Sequence, residues 1–136
     1  MEKKSVIYHI VTLDDLVSNI MGEYYTPAGF DKDGFIHCTA ERSTTLLVLE
    51  DYFSAVADQK DILVLEIDVA SVGSEVKYEA PAPIEGGGTS HIKEGALFPH
   101  IYGNLNLDAV TGAGKVEWSG GRFLWPSLFQ DIKKYL

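Results

Sequence analysis

Ser5–Val11 (SVIYHIV) is a nearly continuous apolar run rich in β-branched and aromatic residues, so this segment is predicted to be a strand. Ile7, His9 and Val11 fall on one face and Val6, Tyr8 and Ile10 on the other. Both faces read as buried, which predicts a central position. The period then changes. Leu13, Leu16, Val17, Ile20 and Met21 recur at helical spacing after Thr12, a capping residue, with Asp14 and Asp15 in the first turn. Gly22 marks the predicted end of this helix.

Residues 23–33 read as a loop that carries Tyr24, Tyr25, Pro27 and Gly29. Gly34–Cys38 is predicted to be a second strand, with Phe35 and His37 on one face. A helix starting at Thr39 or Ser43 buries Leu46, Leu49, Phe53 and Val56. Asp61–Val69 is the clearest strand and Val76–Glu79 a short one. Residues 80–97, with Pro81, Pro83 and Gly86–Gly88, read as a long loop. The glycines are not a phosphate loop, since no Gly-Lys-Ser/Thr follows them. Phe98–Tyr102, Leu105–Val110 and Lys115–Trp118 are predicted strands, and Gly112 and Gly114 a turn between the last two. Leu128, Ile132 and Tyr135 suggest a C-terminal helix. Strands alternate with helices in the first half and follow one another in the second, a pattern that predicts an α+β fold.

The length of 136 residues fits a single domain spanning residues 1–136. Cys38 is the lone cysteine, so no disulfide framework exists within the chain. With no apolar run approaching the roughly 18 residues of a membrane span, the expected location is the cytoplasm, without membrane association. The net charge of −9 argues against a nucleic-acid partner, because an acidic chain gains nothing from counterion release at a phosphate backbone. A small molecule or nucleotide is the expected ligand.

The candidate chemistry lies in histidines. His9, His37 and His100 each stand in an apolar, strand-like segment, where an imidazole needs hydrogen-bond partners. His91 lies in the glycine-rich loop. Three such residues in one small domain predict a shared pocket and are the candidate catalytic residues. Metal ligation is not expected, since the three lack the close spacing of zinc ligands. Cys38 follows His37 directly and points to the opposite face, so the two cannot act as a pair. Tyr24, Tyr25 and Tyr102 lie near loops and suit a pocket wall, which makes them the candidate ligand-binding aromatics. Arg42 and Arg122 are weaker anion anchors, and Asp108 and Glu117 weaker carboxylates.

The strings IYHIV (Ile7–Val11), YYTP (Tyr24–Pro27), GFIHCT (Gly34–Thr39), VLEID (Val64–Asp68), KYE (Lys77–Glu79) and FPHIYGNLNLDAV (Phe98–Val110) resemble domain-of-unknown-function family 952, from about residue 5 to residue 125. The family is bacterial in the main and uncharacterised. The resemblance implies an ADP-ribosylation-like fold, with split β-sheets and flanking helices around an NAD-binding cleft. It implies NAD as the cofactor and places His9 at the first-strand position that holds the ribose. Glu117 is the nearest option for the late-strand acid of that fold, in a context that matches no motif. A histidine-based site is also similar to the RNA 2′-phosphotransferase branch, though the acidic charge disfavours large RNA substrates. The expected activity is therefore that of an NAD- or nucleotide-binding transferase or hydrolase. The alternative is a non-catalytic small-ligand or protein binding module on the same fold.

Overall fold

The computed structural model describes residues 5–80 and 96–136. The predicted glycine triplet and His91 lie outside these residues. In chain order the elements are β1 (Val6–Thr12), α1 (Leu13–Ser18), β2 (Ile20–Met21), β3 (Tyr24–Tyr25), α2 (Phe30–Asp33), β4 (Ile36–His37) and α3 (Arg42–Phe53). There follow β5 (Ile62–Asp68), β6 (Glu75–Glu79), β7 (Phe98–Tyr102), β8 (Leu105–Asn106) and β9 (Val110–Lys115). Then come β10 (Glu117–Ser119), β11 (Arg122–Leu124) and β12 (Phe129–Gln130), with single 3-10 turns between some of these. The fold is α+β, with antiparallel sheets throughout.

The largest sheet has the order β1-β5-β9-β12. Its strands alternate, so it builds two cores. Ile7, Val11, Leu63, Leu65, Ile67 and Ala113 enter the first, while Ile62 and Val64 face the second with Tyr8 and Ile10 beside them. The first core is closed by two small sheets, β2-β3-β8 and β4-β7-β6, which contribute Tyr25 and Leu105, and Ile36 and Ile101. The second is closed by Leu46, Leu49 and Phe53 of α3 together with Phe123, Trp118 and Trp125. Strand β1 ends the hydrogen-bonded order of its sheet, yet its free edge is covered: Tyr8 and Thr39 exchange both backbone bonds at 2.8 Å. Among the described residues no helix is long and apolar enough to cross a membrane.

Several elements differ from the sequence pattern. The first helix is capped as predicted, with the Thr12 hydroxyl accepting from the Asp15 amide, but it stops at Ser18. Ile20 and Met21 instead pair with Tyr25 and Tyr24 across a two-residue turn, and Gly22 (φ 62°) is the left-handed turn residue rather than a helix end. The expected loop 23–33 thus contains β3 and α2. The next helix begins at Arg42, after Glu41, and not at Thr39 or Ser43. Leu105–Val110 is not one strand: a 3-10 turn at Leu107–Ala109 separates β8 from β9.

Gly112 and Gly114 are not a turn either. They lie in β9, on the face where the segment 126–129 crosses closely. A Cβ at Gly114 would meet Pro126 Cβ at 2.5 Å and the Leu128 carbonyl oxygen at 3.0 Å. Bare backbone at this point lets the chain terminus pack as β12, and only a 3-10 turn at Ile132–Tyr135 remains of the predicted helix. Gly114→Ala is therefore expected to lower stability by about 1–3 kcal/mol, seen as a reduced urea midpoint with an unchanged slope.

Candidate functional site

The site is built on the sheet β4-β7-β6. His37 pairs with His100, and Ile36 with Ile101, in the β4–β7 register. Ile36 and Ile101 are fully buried in the first core, so strand alternation turns His37 and His100 to the other face. Lys77 of β6 pairs with His100 on that face, and Glu75 with Tyr102. Phe35, two residues before His37, joins the group. Its ring stacks on the His100 imidazole at 3.9 Å between centroids and 18° between planes. It also lies 4.7 Å from the His37 ring and 5.5 Å from the Tyr102 ring, and the two imidazoles are 5.8 Å apart.

Each imidazole is oriented by a carboxylate. His100 is only 3% exposed, and its Nδ1 donates to Glu79 Oε1 at 3.0 Å. The Tyr102 hydroxyl donates to the same oxygen. These two bonds, Tyr102 first, hold the Glu79 carboxyl below its usual range, and the same contact raises the Tyr102 hydroxyl. Glu79 is therefore ionised at neutral pH. With Nδ1 committed to Glu79, His100 presents Nε2, which no described side chain engages. His37 is half-buried, and its Nε2 donates to Asp33 Oδ2 at 2.9 Å. Asp33 ends α2, and the left-handed Gly34 (φ 81°) turns the chain back so that the pair can meet.

His9 sits beneath this face. Its Nδ1 lies 2.6 Å from the His37 carbonyl oxygen, and its Nε2 lies 2.9 Å from the Tyr25 hydroxyl. A carbonyl can only accept, so Nδ1 carries the proton and Nε2 accepts from Tyr25. Burial drives the pKa of His9 down to about 4, which leaves a neutral ring at physiological pH. Burial likewise raises the Tyr25 hydroxyl.

The structure thus brings His37, His100 and Tyr102 together on one face, with His9 and Tyr25 joined to it from below through the His37 carbonyl. Tyr24 is exposed and points away from Tyr25 on the other side of β3. Cys38 is buried in the first core, its thiol raised by burial, on the side away from His37. Arg42 lies over the Trp125 ring at 5.2 Å, and Arg122 and Glu117 belong to the exposed positions of the β10–β11 ribbon. Asp108 accepts a bond from Asn106. Sequence reasoning did not single out Glu79, Asp33 or Phe35 as site residues. The alternation of Phe35 with His37 was a usable signal. For Glu79 the only signal was its place in a short strand, whose partner was unknown. Among the described residues no three His, Cys, Asp or Glu side chains converge as a metal-ligand set.

A family model described as a protein of unknown function, DUF952, matches residues 10–113. The chain belongs to this family. Its structure is similar to that of protein CC0527 from Caulobacter crescentus, solved both as the natural protein and as a double mutant. Each comparison gives a TM-score of 0.66 at 21% identity and covers 96% of this chain and 98% of the other. At that identity the likeness establishes a shared fold. No curated protein matches the sequence. In this DUF952 chain the GFIHCT and FPHIYG strings are the two paired strands that carry His37 and His100.

The state of His9 has a thermodynamic consequence. Its folded pKa of about 4 lies below the unfolded value of 6.5, so the unfolded chain binds the extra proton between these values. The stabilisation is present in full above pH 6.5 and is lost as the pH falls toward 4. By pH 5 the loss amounts to about 2 kcal/mol. Urea unfolding at pH 7 and pH 5 measures it, and His9→Gln is expected to be less stable at pH 7 but to lose about 2 kcal/mol less over the same interval.

Proposed function

We propose that this protein binds a nucleotide of the NAD type on the His37–His100 face and cleaves or transfers at its nicotinamide ribose. The observation that carries the reading is the oriented pair Glu79–His100, with the Phe35 ring stacked on His100 and the Tyr102 hydroxyl bonded to Glu79. Split antiparallel sheets with flanking helices, and a histidine on the first strand, support an ADP-ribosylation-like assignment of the α+β fold. The acidic chain favours a small nucleotide over a polymeric nucleic acid. The buried free thiol of Cys38 fits a reducing cytoplasm.

Cleavage of the bond between the ribose C1′ and the nicotinamide nitrogen leaves its electron pair on the ring, which departs neutral. Positive charge then builds on the ribose, and a nearby ionised carboxylate stabilises it. Glu79 supplies that charge. In the hydrolytic form, water attacks C1′ and gives its proton to His100 Nε2, while Nδ1 stays hydrogen-bonded to Glu79. His37, held by Asp33, contacts the sugar or the adjoining phosphate. His9, with both nitrogens engaged, acts by fixing the His37 backbone and Tyr25 and does not touch the ligand. Tyr102 and Phe35 enclose the ring.

A second reading, a binding module without turnover, is favoured by one feature: a single Glu79 oxygen accepts from both His100 and Tyr102, which restrains it. Calorimetric titration with NAD and ADP-ribose, followed by chromatographic assay of nicotinamide release, separates the two. We expect binding and release in the natural protein, and release reduced by at least about 100-fold in His100→Ala. Binding without release would favour the module. No binding of either nucleotide would reject the nucleotide reading altogether.

A further inference from the structure

The charges on this face are uneven. On the sheet β4-β7-β6, Glu75 and Glu79 flank the Tyr102 ring, and Lys77 carries the single ammonium among the sheet's described residues. The Lys77 Nζ lies 5.0 Å from the centroid of the Tyr102 ring and 3.6 Å from Glu75 Oε1. The protein therefore already holds a cation over the π face of Tyr102, between that ring and a carboxylate. The hold is weak. Lys77 and Glu75 are 50% and 67% exposed, and ion pairs in such positions are easily separated. Glu79, ionised and bonded to the Tyr102 hydroxyl, adds negative charge at the ring's far end. Phe35 supplies a second ring 5.5 Å away. His100, nearly buried, leaves Nε2 without a partner among the described side chains.

We propose that the Tyr102 ring, flanked by Glu75 and Glu79, is a subsite for a planar organic cation, and that Lys77 fills it until such a ligand displaces its ammonium. A flat aromatic cation, such as an N-alkylated pyridinium, satisfies both the π face and the carboxylates, whereas a neutral ring satisfies only the first. This deepens the nucleotide reading at the same site: the cation is then the oxidised nicotinamide ring, and the site selects it over the uncharged reduced ring. Lys77 becomes a specificity-determining residue that competes with the ligand and does not bind its phosphates.

The test is an NMR titration of the isotopically labelled full chain with 1-methylnicotinamide, a cation methylated on its ring nitrogen, and with nicotinamide, its neutral counterpart. The cation is expected to bind at least about tenfold more tightly at low salt, to lose that advantage in 0.5 M salt (about three times shorter screening length than at 50 mM), and to shift the Tyr102 and Lys77 resonances. Lys77→Met should tighten the cation severalfold, and Tyr102→Leu should abolish its advantage. Both side chains are exposed, so neither change threatens the core. Equal binding of the two rings, no binding of either, or weaker cation binding in Lys77→Met overturns the proposal. Loss of ADP-ribose affinity in Lys77→Met also overturns it, since the lysine would then be an anion contact. The two readings fail separately. If 1-methylnicotinamide binds as described and NAD does not, the subsite stands and the nucleotide reading falls. If NAD binds but the oxidised and reduced forms do so equally, the reverse holds.

Discussion

One buried imidazole joins the three sheets that define the first core. His9 belongs to the four-stranded sheet, Tyr25 to β2-β3-β8 and His37 to β4-β7-β6, and the two ring nitrogens of His9 bond one group on each of the others. In a dry interior every polar group must find a partner, and a lone donor or acceptor there costs about 1–3 kcal/mol. The neutral imidazole has one of each, at opposite corners of a rigid ring, so it can satisfy a carbonyl and a hydroxyl at once only if the sheets sit in one relative position. Tyr8 and Thr39 add a backbone bridge one residue away, between the same strand and the chain just beyond His37. The placement of the His37 backbone, and with it the outward face of the small sheet, follows from this junction.

Alternation then divides β4 and β7 between two environments. Ile36 and Ile101, paired with each other, enter the core completely, and their chain neighbours His37 and His100, also paired, take the outer side. The imidazoles therefore differ in kind although all three stand in apolar strands. His9 is isolated from water and held neutral. His37 and His100 each face a carboxylate, which fixes the ring's rotation and leaves one nitrogen directed elsewhere. Phe35 stacks on His100 and lies 5.5 Å from the Tyr102 ring. A chain of −9 net charge can tolerate these carboxylates because the bonds from Tyr102 and His100 stabilise the Glu79 anion directly.

Local signals in the sequence located the longer elements. The β-branched and aromatic run of β1, the apolar run of β5 and the capped start of α1 each reflect one strong local preference, and all three are present. Elements two residues long are a different matter. β2, β3, β8 and β12 exist because a neighbour supplies their hydrogen bonds, and Ile20–Met21 fits a helical stripe as well as a strand. Gly112 and Gly114 carry the usual mark of a turn, yet they serve a close approach to Pro126 and Phe129 that no local pattern encodes. The site divides in the same way. Histidines in apolar segments stand out, since such residues need partners. Their differing states depend on register: Glu79 reaches His100 because β6 pairs with β7 at Lys77, and that pairing is long-range.

The Glu79–His100–Tyr102 group is best understood as one unit. Tyr102 and His100 stand two residues apart on β7, on one side of the sheet, and converge on a single oxygen of a residue from the adjoining strand. A carboxylate oxygen has two lone pairs, so both bonds can form at once. Each bond withdraws charge from the other, yet both favour the ionised carboxyl, and the cost of protonating it grows with their number. Removing Tyr102's hydroxyl would therefore change His100 as well, by returning a lone pair of Glu79 to water. It follows that His100 and Tyr102 act on Glu79 together, and that residues chosen singly from such a group would misstate its chemistry.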